Sequence, residues 1–287
     1  MLFQIIATLI WASAFIAAKY TYEMMDPVLM VQCRFFIASI IMLPGFFAAY
    51  KRVPKDRLKI MWLLALINFP LMFLLQFIGL YFTSAASAVT MLGMIPLLTV
   101  LIGFLFFKRR INKIDLLLSL VALAGIILTV VGGGEDNLIN PWGCLLVLGS
   151  AVSFCFCLYL SKDIMQEMAP KDYTNVLVIL GSILCLPFTC VLVRDWSIVP
   201  GVKGTISLFY LGIGCTWLAV VLWFKGVQKT PTYISSILTT LEPIFGVILA
   251  ILILDERLST VSAMGILLTL GAAAVSVLIP VLMKKSP

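Results

Sequence analysis

Ten long apolar runs, separated by short polar connections, divide the chain at about 2–22, 28–50, 58–80, 84–107, 113–132, 141–161, 173–193, 203–224, 232–254 and 260–283. Each comes close to the ~20 residues a helix needs to cross a hydrocarbon layer about 30 Å thick. None alternates with the two-residue period of a barrel strand, and only helices and closed barrels satisfy their backbone in lipid. The pattern therefore predicts an all-α integral membrane protein of ten transmembrane helices. The first run contains Ala12-Ser13-Ala14, which mimics a signal-peptidase site, but no cationic segment precedes its apolar core. It is read as an uncleaved first helix.

Composition agrees with lipid as the solvent. Hydrophobic residues fill 62% of 287 positions and charged residues only 11%, against about 25% charged in soluble domains. The net charge of +7 does not point to nucleic acid, because the basic residues sit in the short connections. With the N-terminus inside, fifteen Lys and Arg fall on the cytoplasmic side, in groups such as Lys51 to Lys59 and Lys108 to Lys113. Five, namely Lys19, Arg34, Arg194, Lys203 and Arg257, fall on the other side. Basic residues mark cytoplasmic loops, so both termini are expected in the cytoplasm, and the membrane is expected to be a bacterial inner membrane.

Several chemistries are excluded by what is missing. The chain has no histidine, which removes His-ligated metals and Ser-His-Asp catalysis. Its seven cysteines lie inside apolar runs, and Cys155 and Cys157 lack zinc-ligand spacing, so they read as small packing residues. Gly132-Gly133-Gly134 has neither a preceding strand nor a following Lys-Ser/Thr, and no ATP-binding loop exists elsewhere. No nucleophile–base pair lies deep in the spans. No enzyme activity, metal or cofactor is expected beyond proton coupling; the partners are a small-molecule solute and the bilayer, with the chain a monomer or homodimer.

A shift of 147 residues lays the fourth run on the ninth. Gly79 falls on Gly226, Thr83 on Thr230, Pro96 on Pro243, Val100 on Val247, Leu105 on Leu252 and Arg110 on Arg257. The charged turns that end these two runs, Lys108-Arg109-Arg110 and Asp255-Glu256-Arg257, also coincide. Two halves, 1–136 and 137–287, with five helices each must insert with opposite orientation. Such inverted-topology repeats recur in secondary transporters, with the solute site near the midplane between the halves.

Three segments carry a family resemblance: Leu241-Glu242-Pro243-Ile244-Phe245, then Leu254-Asp255-Glu256-Arg257-Leu258, and the opening Trp11-Ala12-Ser13-Ala14-Phe15. Together they make the whole chain resemble the EamA-type branch of the drug/metabolite transporter superfamily. The resemblance implies a metabolite or drug carrier, often an exporter of amino acids or related compounds. The family often ends its fourth helix with an acidic residue, whereas Lys108-Arg109 stands here.

Glu242 is the leading candidate for solute contact. It sits near the middle of the ninth run, where a carboxylate costs a few kcal/mol unless it faces a cavity or a partner, and Pro243 weakens the same turn. It reads as a solute contact or proton carrier, with an interhelical hydrogen bond as the alternative. Thr239 and Ser235 share its helical face. Ser87, Asn68 and Gln76 are further polar candidates on neighbouring helices, although such residues also serve as interhelical glue. Trp11, Trp217 and Tyr159 lie deep enough to wall an apolar or cationic group. Trp62, Trp142 and Trp196 fall near span ends, as interfacial anchors do. Lys19, Glu23, Asp26 and Arg34 cluster at the first external turn, read as a salt-bridged surface with Arg34 reaching out to the interface. On this reading the membrane interior holds one acid and no central base. The alternatives to an amino-acid exporter are a multidrug or lipid-headgroup carrier, or a receptor or structural subunit.

Overall fold

The computed structural model describes residues 1–108, 113–132, 140–227, 238 and 240–283. Helices dominate, and there is no β-strand among the described residues. We number them α1 (Leu2–Tyr22), α2 (Pro27–Lys51), α3 (Leu58–Leu66, Ile67–Leu71 and Met72–Phe82), α4 (Ala85–Leu92 and Ile95–Phe107) and α5 (Lys113–Gly132). The second set is α6 (Pro141–Glu167), α7 (Pro170–Leu192), α8 (Val202–Phe209, Tyr210–Leu218 and Ala219–Val227), α9 (Leu241–Leu254) and α10 (Thr260–Met283). Nine of these are long and apolar enough to span a membrane among the described residues, and Leu241–Leu254 is a shorter apolar helix. Most of 232–240, the predicted start of that run, lies outside the described residues, as does the 136/137 division.

Local chemistry explains the helix ends. Asp26 caps α2 by accepting from the Val28 N–H at 2.7 Å, with Pro27 in the first turn, where its missing N–H costs nothing. α4 and α9 both stop at a non-glycine residue with φ 52, Lys108 and Asp255, which are 147 positions apart. In each case the cap N–H returns to a carbonyl five residues back, Gly103 or Ala250.

Three helices are irregular within the bundle. α3 and α8 each contain π-helical turns, over Ile67–Leu71 and Tyr210–Leu218, where one extra residue per turn re-aims side chains, often at functional sites. α4 is interrupted at Gly93-Met94 and restarts with Pro96 in its first turn. α4 and α9 cross at these places: a Cβ on Gly93 would come within 3.7 Å of Pro243 Cβ, and one on Gly246 within 2.7 Å of Val89.

The helices pack through small residues and side-chain hydrogen bonds, since lipid supplies no hydrophobic drive between them. α5 lies along α10, where a Cβ on Gly125 would sit 2.7 Å from the Gly265 carbonyl; Thr269 donates to the Ala122 carbonyl at 3.3 Å and Ser262 to that of Thr129 at 2.7 Å. α2 lies along α7, joined by Gln32 to the Ser182 carbonyl at 3.3 Å and Thr189 to Gln32 at 3.2 Å. α3 rests on α6 through Gly79 and Gly143, and α8 on α1 through Gly226 and Gln4. α4 also meets α6, as α9 meets α1. This pattern is unchanged when the first five helices are exchanged for the last five. Large apolar side chains such as Leu105, Val131 and Leu252 point outward and exposed, as lipid-facing residues should.

The turn between α1 and α2 differs from its expected form. Lys19 donates to the Thr83 carbonyl at 2.6 Å and Asp26 serves as the α2 cap, so hydrogen bonds to backbone hold this turn. No ion pair among the described residues joins Lys19, Glu23, Asp26 and Arg34. Arg34 does not reach the interface either: it is buried, 2% exposed, because its position on α2 faces the bundle interior. Trp62, Trp142 and Trp196 are exposed near helix ends, as anticipated.

Candidate functional site

A cavity of about 380 Å³ opens within the bundle, in the size range of small-molecule sites. α1 contributes Trp11 and Phe15; the irregular part of α3 contributes Asn68 and Phe69, and the regular stretch after it Phe73, Gln76 and Phe77; and the irregular part of α8 contributes Cys215 and Thr216. Leu92 and Ile95 line it at the interruption of α4, and Glu242 at the start of α9. The wall continues along α6 and α7 to Ser161, Tyr173 and Thr174, beside the turn between those helices.

The π turns position much of this wall. In α8, the Thr216 hydroxyl donates to the Leu211 carbonyl five residues earlier at 2.8 Å. The neighbouring Cys215 carbonyl accepts from the Trp11 indole N–H at 3.0 Å, which fixes that ring against Trp223 at 5.5 Å. In α3, Phe69, Phe73 and Phe77 recur every four residues and stack, with centroids 5.8 and 6.0 Å apart. Pro70 lacks the N–H that a regular helix would use there.

Two charged side chains face this mainly apolar space. Glu242 is half-buried in the first turn of α9, the end of a helix whose dipole favours a negative charge. It has no ion-pair partner among the described residues. Arg34 reaches in from α2: its Nε and Nη2 donate to Thr216 Oγ1 at 3.1 and 2.9 Å. Its Cζ lies 5.0 Å from the ring centroids of both Phe73 and Phe77. Arg34 and Glu242 line the same cavity.

Of the expected site residues, Glu242, Trp11, Asn68 and Gln76 line the cavity together. Three do not, and each has a structural role instead. Ser87 is buried in the cap of α4, bonded to Ser84 Oγ through its N–H at 3.1 Å and its hydroxyl at 3.0 Å. Tyr159 donates to the Thr99 carbonyl at 2.9 Å and stacks on Phe107 at 4.4 Å. Trp217 packs against the core beside the lining residues Cys215 and Thr216. Ser235 and Thr239 lie outside the described residues. Arg34, Thr216 and Trp223 are lining residues that sequence reasoning missed; for Arg34 the only signal was a charge inside a span, and depth alone does not say which way a side chain turns.

The two ends of the bundle are closed differently. At one end Glu256, just past α9, accepts from the Ala85 and Ala86 N–H groups at 2.6 and 2.9 Å, tying α9 to the start of α4. At the other, Arg52 pairs with Asp172 at 2.7 Å and Arg57 with Glu167 at 2.9 Å, linking the α2–α3 and α6–α7 connections. Exposed pairs of this kind contribute ~0–1 kcal/mol, whereas hydrogen bonds from backbone to a carboxylate are stronger.

The EamA-like transporter family matches residues 1–131 and 141–278. The chain belongs to that family. An uncharacterized transporter of Haemophilus influenzae is 39% identical over 170 residues, covering 58% of this chain and 99% of that one. The uncharacterized transporter YetK of Bacillus subtilis is 26% identical over 289 residues, covering 98% and 86%. A solved crystal structure superposes with a TM-score of 0.64 at 19% identity, covering 100% of this chain and 98% of that one, a likeness of fold. This EamA-like protein is thus an integral membrane transporter of small molecules.

Proposed function

We propose that this EamA-like transporter exports amino acids or related amphipathic solutes by alternating access between two inverted five-helix halves, with both termini in the cytoplasm of a bacterial inner membrane. One observation carries the reading: a cavity of about 380 Å³ with an aromatic wall holds the Glu242 carboxylate at the start of a short helix, opposite an interrupted one. Secondary transporters place their solute sites where such broken helices meet. The exchange symmetry of the packing and the matching left-handed ends of α4 and α9 support two equivalent halves. The lining runs toward the α6–α7 turn, held by exposed ion pairs, while the opposite end carries the Glu256 clamp. That arrangement suits a cavity open to the cytoplasm and closed outside.

In this reading Glu242 binds the ammonium of the solute or carries a coupled proton. Counterflow of radiolabelled amino acids in proteoliposomes, with Glu242→Gln as control, tests it. Wild type should exchange at least one solute of the panel, and the variant should fold normally yet lose at least about tenfold in rate, the loss expected when one charge-assisted contact goes. Uptake by Glu242→Gln equal to wild type across pH 5–8 would sink the assignment. A second reading, a carrier of organic cations, is favoured by the Trp11–Trp223 pair beside a carboxylate; exchange of quaternary ammonium compounds but of no amino acid would select it.

A further inference from the structure

Arg34 is a cation in the interior of a membrane protein, and such residues are retained for function. Its surroundings leave it incompletely satisfied. Nε and Nη2 share one neutral acceptor, Thr216 Oγ1, whose own proton is committed to the Leu211 carbonyl. Nη1 is buried and has no hydrogen-bond partner among the described residues. Phe35, Phe73 and Phe77 present ring faces or edges to the guanidinium at 5.9, 5.0 and 5.0 Å; they hold its plane but supply no anion. Glu242 lines the same cavity but is not ion-paired with Arg34.

We propose that Arg34, held by Thr216 on the π turn of α8, is an anion subsite that takes a carboxylate of the transported solute. The proposal rests on the reading of this cavity as the solute site and adds the chemistry of its ligand. A guanidinium is a planar fork matched to a carboxylate, and Nη1 is the arm left without an acceptor among the described residues. A buried cation without a counter-charge is costly to keep, and a carboxylate arriving with the cargo supplies that charge only in the loaded state. With Glu242 lining the same cavity, the pair selects a dipolar solute: carboxylate at Arg34, ammonium at Glu242, apolar body against Phe69 and Phe73. Glu242 alone would equally accept a simple amine; Arg34 makes the site discriminate against one.

The test compares each α-amino acid of a panel with its own carboxamide, which keeps the ammonium and side chain but loses the negative charge. Binding is read by ligand-induced thermal shift of purified full-length protein, and transport by counterflow. Wild type should bind at least one acid about tenfold or more tightly than its amide, the value of one charge-assisted hydrogen-bond pair. Arg34→Met should abolish that preference and leave amide binding within about twofold, with unchanged or higher thermal stability because an unpaired buried charge is gone. Should Arg34→Met fail to fold, Thr216→Val, which removes only the acceptor that aims Arg34, should weaken the preference several-fold. Acids and amides binding alike in wild type, or a preference that survives Arg34→Met, would overturn the subsite. Stabilisation by chloride or inorganic phosphate equal to that by the best acid would also overturn it, marking a site for small inorganic anions. Acid-selective binding without any counterflow would instead defeat the carrier reading and leave the subsite standing.

Discussion

The π turns of α3 and α8 lie at positions related by a shift of 147 residues and do opposite work. Asn68 and Phe69 on the first stand 147 positions before Cys215 and Thr216 on the second, and all four line the cavity. Their partners correspond too. Thr216 receives Arg34 from α2, and 147 positions after Arg34 stands Gly181 of α7, which any Cβ would drive into the Phe69 ring. Where one contact is an arginine met by a hydroxyl, the contact 147 positions on is a glycine that admits an aromatic ring. A third corresponding pair, Ile95 and Glu242, differs in the same sense. One backbone device, used twice, therefore presents an apolar surface on one side of the cavity and a hydrogen-bonding one on the other. A symmetric frame thereby encloses a site with a charged cation arm, a carboxylate and an apolar floor.

Substitutions on either side of this comparison should break it unequally. Phe69→Ala removes a buried ring at the apolar turn and should cost about 3–5 kcal/mol, read as a large fall in the melting temperature of the purified protein. Gly181→Ala, at the facing position, should cost ~1–3 kcal/mol by overpacking against that ring. Combining the two should cost less than the sum, since the ring that the new methyl strikes is already gone; strict additivity would show that they do not touch. Smallest in stability is Glu256→Gln at the clamp between α9 and α4, expected to cost about 1 kcal/mol because the amide oxygen still accepts one hydrogen bond. Its sharper readout is accessibility: a cysteine placed in the cavity should become more reactive to a membrane-impermeant thiol reagent added from outside. Unchanged labelling would remove Glu256 from the closure of that end.

Much of the frame was legible along the chain, and much of the site was not. Most described helices start and stop within a few residues of the predicted runs, because span length is dictated by bilayer thickness; α6 continues to Glu167, and most of the start of the ninth run lies outside the described residues. Glu242 was legible because a carboxylate within an apolar run is too costly to face lipid and must turn to a cavity or a partner. Trp11, Asn68 and Gln76 line the cavity, while Ser87, Tyr159 and Trp217 were chosen at a suitable depth but do not line it. Depth is a one-dimensional property; azimuth around the helix changes by about 100° per residue, and helices apolar on every side give no stripe from which to read it. Arg34 failed for that reason, since an arginine near a helix end can snorkel or turn inward with the same sequence around it.

What the amino-acid sequence determined alone is the solvent, the approximate spans and the internal correspondence at 147 residues. Lipid tolerates only long apolar helices, and a shared register survives in the proline and the charged turn. Which side chains meet was decided by the tertiary structure. The π turns of α3 and α8 rotate Phe69 and Thr216 toward the cavity, and the packing of α2 between α7 and α8 turns Arg34 inward. The guanidinium therefore shares a cavity with the Glu242 carboxylate because of how the helices are rotated against one another, a quantity no single apolar run encodes.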